Sequence, residues 1–238
     1  MQQLPEFKRV VTGHDARGQA VVASCGPTPN NFPLKAVPGT VFYEVWNSLG
    51  SPAPLDNGDD PTAQPLQLSP GPLGSVIRVV DIPPDSVQNQ VSAEEAAAAF
   101  AEIGEAHAGT GKAESKHKLM HRTETLDYGI VTEGEVWLVL DDGEVHLKRG
   151  DIVVQRGTNH AWSNRTEAMA RMVFILLDGQ YAEALKELLG IGETLSGRLL
   201  IYDGLATDFR AIRIPRDPAC RLCGPQADIH DLSIHAKR

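Results

Sequence analysis

Cysteine is scarce in this chain. Three residues of 238, Cys25, Cys220 and Cys223, are an odd and small set, which excludes a disulfide framework. Reduced thiols in a cytoplasmic protein are the expectation. No apolar run approaches the roughly 20 residues that a bilayer-spanning helix needs. The opening Met1-Gln2-Gln3-Leu4-Pro5-Glu6-Phe7-Lys8 lacks the basic-then-apolar order of a secretory leader. Basic charge is in the minority, with 22 Lys and Arg against 31 Asp and Glu and a net charge of −9. That sign argues against nucleic acid or an anionic membrane as partner. No Gly-rich phosphate loop follows a first strand, so no nucleotide is expected. Aromatics make up only 5% of the chain, and Trp46, Trp137 and Trp162 read as core or pocket wall.

What is present is globular: 42% hydrophobic and 22% charged residues, enough for one medium domain with an appendage. Short β-type runs fill the first third, among them Arg9-Val10-Val11-Thr12, Ala20-Val21-Val22-Ala23 and Ser75-Val76-Ile77-Arg78-Val79-Val80. Turn residues bound each of them. Residues 51–72 are rich in Pro, Asp and Gly and read as a long surface loop, either functional or mobile. Ser92 and Glu95 form a capping box for one helix, with Gly109 as its stop and Phe100 and Ile103 as its apolar anchors. This helix is expected on the barrel surface. Strands resume at Thr123, Asp141-Asp142-Gly143 marks a hairpin, and residues 170–177 close the series. Many short strands with a turn every 8 to 12 residues predict an all-β barrel or sandwich.

Two stretches carry the chemistry. The first is His121-Arg122-Thr123-Glu124-Thr125-Leu126-Asp127-Tyr128-Gly129-Ile130-Val131-Thr132-Glu133-Gly134-Glu135. The second is Gly150-Asp151-Ile152-Val153-Val154-Gln155-Arg156-Gly157-Thr158-Asn159-His160-Ala161-Trp162-Ser163-Asn164. Their order and spacing resemble the two motifs of the cupin superfamily, and the likeness extends over residues 5–178 to a group of single-domain cupins. It implies a double-stranded β-helix (jelly-roll) barrel whose mouth holds a pocket, often with a divalent metal. Aligned on Gly134, His121 takes the place of the first motif histidine, Thr123 the second, Asp127 the glutamate, and His160 the histidine of the second motif. One histidine is thus replaced and the acid shortened.

Strand parity supports a common site, because residues i, i+2 and i+4 face one side. His121, Thr123, Thr125 and Asp127 share a face if the strand is regular, as do His160 and Trp162. His121, Asp127 and His160 would then form a facial triad for Fe, Zn, Mn or Ni. The alternative is a metal-free pocket in which Asp127 and His121 bond each other or the backbone. Thr123, Arg156, Asn159 and Trp162 are candidates for contacting the substrate, with turn chemistry as the competing role of Arg156 and Asn159.

The last quarter differs. Residues 181–189 read as helix. Gly197-Arg198-Leu199-Leu200-Ile201-Tyr202-Asp203-Gly204-Leu205 and Arg216-Asp217-Pro218-Ala219-Cys220-Arg221-Leu222-Cys223-Gly224 resemble the C-terminal end of MoeB/ThiF-type adenylyltransferases. In that family the closing Cys-x-x-Cys is half of a zinc site. The other pair is absent here, which leaves zinc held by Cys220, Cys223, His230 and His235, pairing across a dimer, or a vestigial dithiol.

The expected organisation is a barrel with an N-terminal strand extension over residues 1–180 and one helix on its N-terminal side. A short α/β extension over residues 181–238 follows. The expected function is binding of a small organic ligand, as a metal-dependent enzyme. A non-catalytic sensing barrel is the second reading, and a partner-docking protein of sulfur-carrier chemistry the third. A homodimer is expected, since cupins commonly pair through barrel edge strands.

Overall fold

The computed structural model describes residues 4–112, 114–181, 189–190, 193, 197–203, 208–213, 215, 217–220 and 225. It has two compact units, residues 1–180 and 181–238.

The first unit opens with a hairpin, β1 (Arg9–His14) and β2 (Ala20–Gly26). Next come β3 (Asn31–Pro33), β4 (Val41–Ser48) and β5 (Ser75–Ile82), then two helices, α1 (Asp85–Gln88) and α2 (Ala93–Glu102). The remaining strands are β6 (Thr125–Glu133), β7 (Glu135–Leu140), β8 (Glu144–Lys148), β9 (Ile152–Arg156), β10 (His160–Ser163) and β11 (Ala170–Asp178). A six-stranded sheet has the order β3-β4-β5-β11-β6-β9, and a three-stranded sheet the order β10-β7-β8. Every pairing is antiparallel. Inward residues of both sheets, such as Val80, Ile82, Val131, Val136, Leu138 and Met172, form one buried cluster. The unit is an all-β barrel, one of the two forms the turn spacing predicts, and its jelly-roll form is the one the motif resemblance implies.

Local chemistry explains two of its joints. Gly134 sits between β6 and β7 at φ +70°, and a Cβ there would stand 3.1 Å from the Ala170 backbone. Only glycine takes that turn at that approach. Helix α2 starts on the expected capping box, with Ser92 accepting from the Glu95 N–H and Glu95 accepting from the Ser92 N–H. It ends earlier than predicted. Gly104, at φ +76°, donates to Ala101 and Glu105 donates to Phe100, a Schellman pair that closes the helix five residues before Gly109.

Two expectations change in the fold. Helix α2 is more than a surface cover, because Ala96, Ala99 and Phe100 are buried in the main core. Residues 51–72 have no regular structure but are tied down. Asp60 pairs with the Arg9 guanidinium at 2.5 Å, Asn57 bonds both backbone groups of His14, and Leu66 and Leu68 are buried.

In the second unit β12 (Arg198–Asp203) pairs antiparallel with β13 (Asp208–Arg213). Cys220 is half-buried. The predicted helix at 181–189, save its ends, lies outside the described residues, as do Cys223, His230 and His235. Among the described residues no helix is long and apolar enough to cross a membrane.

Candidate functional site

The pleat of five strands aims alternate side chains into one cavity. β5 contributes Arg78, Val80 and Ile82, β4 Phe42, β11 Phe174 and Leu176, and β10 His160 and Trp162. Asp127 of β6 lines it too, with Thr123 and His121 from the segment before that strand, and α2 adds Ala99 and Phe100. The cavity measures about 130 Å³. One water needs roughly 10–15 Å³ on this scale, so the space suits a small organic molecule. Its wall is chiefly apolar, with a few polar groups at defined places, which is the usual make-up of a small-molecule site.

On one side the two motif histidines meet. His121 and His160 exchange both backbone hydrogen bonds, at 2.8 and 2.9 Å, and this bridge brings their rings to 4.2 Å between centroids. Phe100 packs on His121 and Trp162 on His160, with centroids at 5.3 and 5.4 Å. His121 Nδ1 lies 3.0 Å from the Leu119 carbonyl, and His160 Nδ1 lies 2.9 Å from the Thr158 carbonyl. A carbonyl only accepts, so each Nδ1 carries the hydrogen and each Nε2 keeps a bare lone pair. The Gln155 amide nitrogen also lies 3.2 Å from His160 Nδ1, but its two hydrogens go to the carbonyl and hydroxyl of Thr158. Burial holds the His121 pKa below the ordinary histidine value. Burial, then the neighbouring His121, holds that of His160 well below it. Both rings are therefore neutral at pH 7.

On the other side stand three charged groups. Glu44 of β4 lies opposite Arg78 of β5 in register, and the side chains pair at 3.0 Å, 3% and 1% exposed. Arg78 also donates to the Gln67 carbonyl at 2.7 Å. Asp127 is buried; desolvation pushes its pKa up to about 6, against the hydrogen bond from Thr125 and the charge of Arg78. Arg78 Nη1 and Asp127 Oδ1 are both buried without a hydrogen-bond partner.

The predicted residues divide as follows. His121, Thr123, Asp127, His160 and Trp162 all line the cavity. Arg156 does not: it is exposed at the end of β9, and the inward place belongs to Gln155, opposite Asp127. Gln155 is buried beside His160, at 3.2 Å. Asn159 is spent on structure, accepting from Thr110 at 2.5 Å and donating to Asp141 at 2.6 Å. The histidine pair offers two nitrogen donors whose second nitrogens are anchored on the backbone, part of the set a metal would need. Asp127 does not join it, and among the described residues no three His, Cys, Asp or Glu side chains gather at metal-binding distance. Arg78 and Glu44 escape a motif-based reading. Their signal was a charge at an inward position in an otherwise apolar alternation.

A jelly-roll barrel with a small apolar ligand cavity is the class these features define. Comparison with known proteins agrees. Residues 105–176 match the model of the cupin domain family. Phomopsin biosynthesis cluster protein C' of Diaporthe leptostromiformis is 38% identical over 200 residues, covering 79% of this chain and 89% of that one. A cupin-domain-containing oxidoreductase of Aspergillus ruber, fogC, is 32% identical over 182 residues and 74% of each chain. The chain belongs to the cupin superfamily. Its second likeness is short: 49% identity over 51 residues with a sulfur carrier protein adenylyltransferase of Thermus thermophilus, or 21% of this chain and 19% of that one.

Proposed function

We propose that this protein is an enzyme of small-molecule biosynthesis that takes an organic substrate into the barrel cavity, in the oxidoreductase class its relatives' names give. The observation that carries this reading is the His121–His160 pair, two neutral imidazoles with bare Nε2 atoms on the wall of an apolar cavity. These two residues would hold a divalent metal (Fe, Zn, Mn or Ni). Such an ion supplies a Lewis acid, or a place for O₂, at its open positions. The chain itself supplies the rest. Phe100, Trp162 and Phe174 exclude water, and the carbonyls of Leu119 and Thr158 fix the tautomers that leave Nε2 free.

Elemental mass spectrometry of untagged protein tests this. Near-stoichiometric metal is expected, falling at least tenfold in His160→Ala. Metal absent from every preparation, or unchanged in the variant, would contradict it. One observation favours the second reading, a metal-free ligand-binding barrel: the acid of the expected triad stands apart from the histidines. Exposed Ile152 and Val154 on edge strand β9 support pairing of two copies. The tail likeness supports docking in sulfur-carrier chemistry only over those 51 residues.

A further inference from the structure

The Glu44–Arg78 pair is hard to explain as a stabilising feature. Desolvation raises the Glu44 pKa and lowers that of Arg78, each against the pull of the other charge. Both directions say that burial costs this pair more than pairing returns, which is common for buried ion pairs. The arrangement also leaves polar atoms unused. Arg78 Nη1 is a donor without an acceptor, and Asp127 Oδ1 an acceptor without a donor. Native interiors rarely tolerate such atoms, and each calls for a partner. The two residues feel each other's charge, and both line the same cavity, whose remaining wall is chiefly apolar.

We propose that Arg78 and Asp127 form the polar end of the ligand site, Arg78 donating to a carbonyl oxygen and Asp127 accepting from a hydroxyl of the same molecule. This rests on the small-molecule reading above and names the ligand class: an apolar body with a neutral hydroxy-carbonyl head. The head is neutral because Glu44 already balances Arg78. A carboxylate placed there would meet Glu44 and Asp127 as well as the guanidinium, so an anion gains little. Glu44 is then a positioning residue, holding Arg78 in place without touching the ligand.

Tryptophan emission, which Trp162 on the cavity wall makes sensitive to occupancy, can read binding of 4-hydroxy-2-octanone, 2-octanone and octanoate to the full chain. The hydroxyketone is expected to bind about tenfold tighter than 2-octanone, and octanoate no tighter than 2-octanone. Asp127→Leu should erase the hydroxyl preference and leave 2-octanone within threefold. The double variant Arg78→Met, Glu44→Leu removes both charges of the pair and leaves Asp127 with a higher pKa, since the Arg78 charge lowers it. It should weaken both ketones about tenfold. Equal binding of the two ketones, or preferences that survive in the variants, would overturn the assignment of Arg78 and Asp127 alone. Tighter octanoate would overturn the neutral head. Failure of all three probes, 2-octanone included, would overturn the small-molecule reading on which the assignment rests.

Discussion

A Glu44→Leu variant is expected to lose about 3 kcal/mol of stability, and adding Arg78→Met to that same chain should return all of it or more. The single change strands a guanidinium that is 1% exposed, with the Gln67 carbonyl and the charge of Asp127 as its remaining support. The double change removes both ions of the pair and fills their space with apolar groups of similar size, and Asp127, without the Arg78 charge, takes up a proton more readily. Urea unfolding of the three proteins measures it. Recovery in the double variant would show that the pair costs stability and is kept for the cavity. A double variant as unstable as the single one would show that the pair is a structural anchor.

The next largest effect concerns Asp127. Its pKa rises from about 3.9 in an unfolded chain to about 6 in the fold, so the folded protein binds this proton more tightly. Below about pH 3 both states are protonated and nothing is lost. As the pH climbs toward 6 the unfolded chain ionises freely and the folded one resists, so stability falls. Asp127→Asn removes that penalty. It should gain about 3 kcal/mol over the wild type at pH 8 and about 1 kcal/mol at pH 4.5. The comparison must be with the variant, because the buried histidines act in the opposite sense. His121 and His160 have lowered values, so they withdraw stability as the pH falls through about 6.5. A gain that does not change with pH would show that Asp127 titrates normally.

Much of the barrel was legible because its signals are local. Turn residues bounded the runs that became β1, β2 and β5. Ser92 with Glu95 marked the start of α2, whereas the corner at Gly134, with its positive φ, was read only as an anchor of the motif. Parity placed Thr123, Asp127, His160 and Trp162 on the cavity wall. Parity fixes a face, though, and not a position along it. His121 precedes β6 and bridges to His160, whereas Asp127 lies within β6 beside Leu176 and Gln155, so a shared face did not become a triad. Arg78 and Glu44 needed more than parity. Each was a charge on an inward place, but only the β4–β5 register, 34 residues apart in sequence, makes them partners. Arg156 drew attention from its motif, and the pleat of β9 gave the inward place to Gln155 instead. The helix end was misplaced because two glycines five residues apart compete, and only the hydrogen bonds at Gly104 and Glu105 choose between them.

The proposed site depends on two neutral imidazoles held side by side on the wall of one cavity. Long-range ¹H–¹⁵N spectra of the histidine side chains in metal-free protein, followed from pH 8 to pH 5.5, test this most directly. Hydrogen on Nδ1 of both His121 and His160, with both rings neutral at pH 7 and each taking its second proton at a lower pH than a free histidine, is the predicted result. Hydrogen on Nε2 of either ring, or an imidazolium at pH 7, would contradict the account.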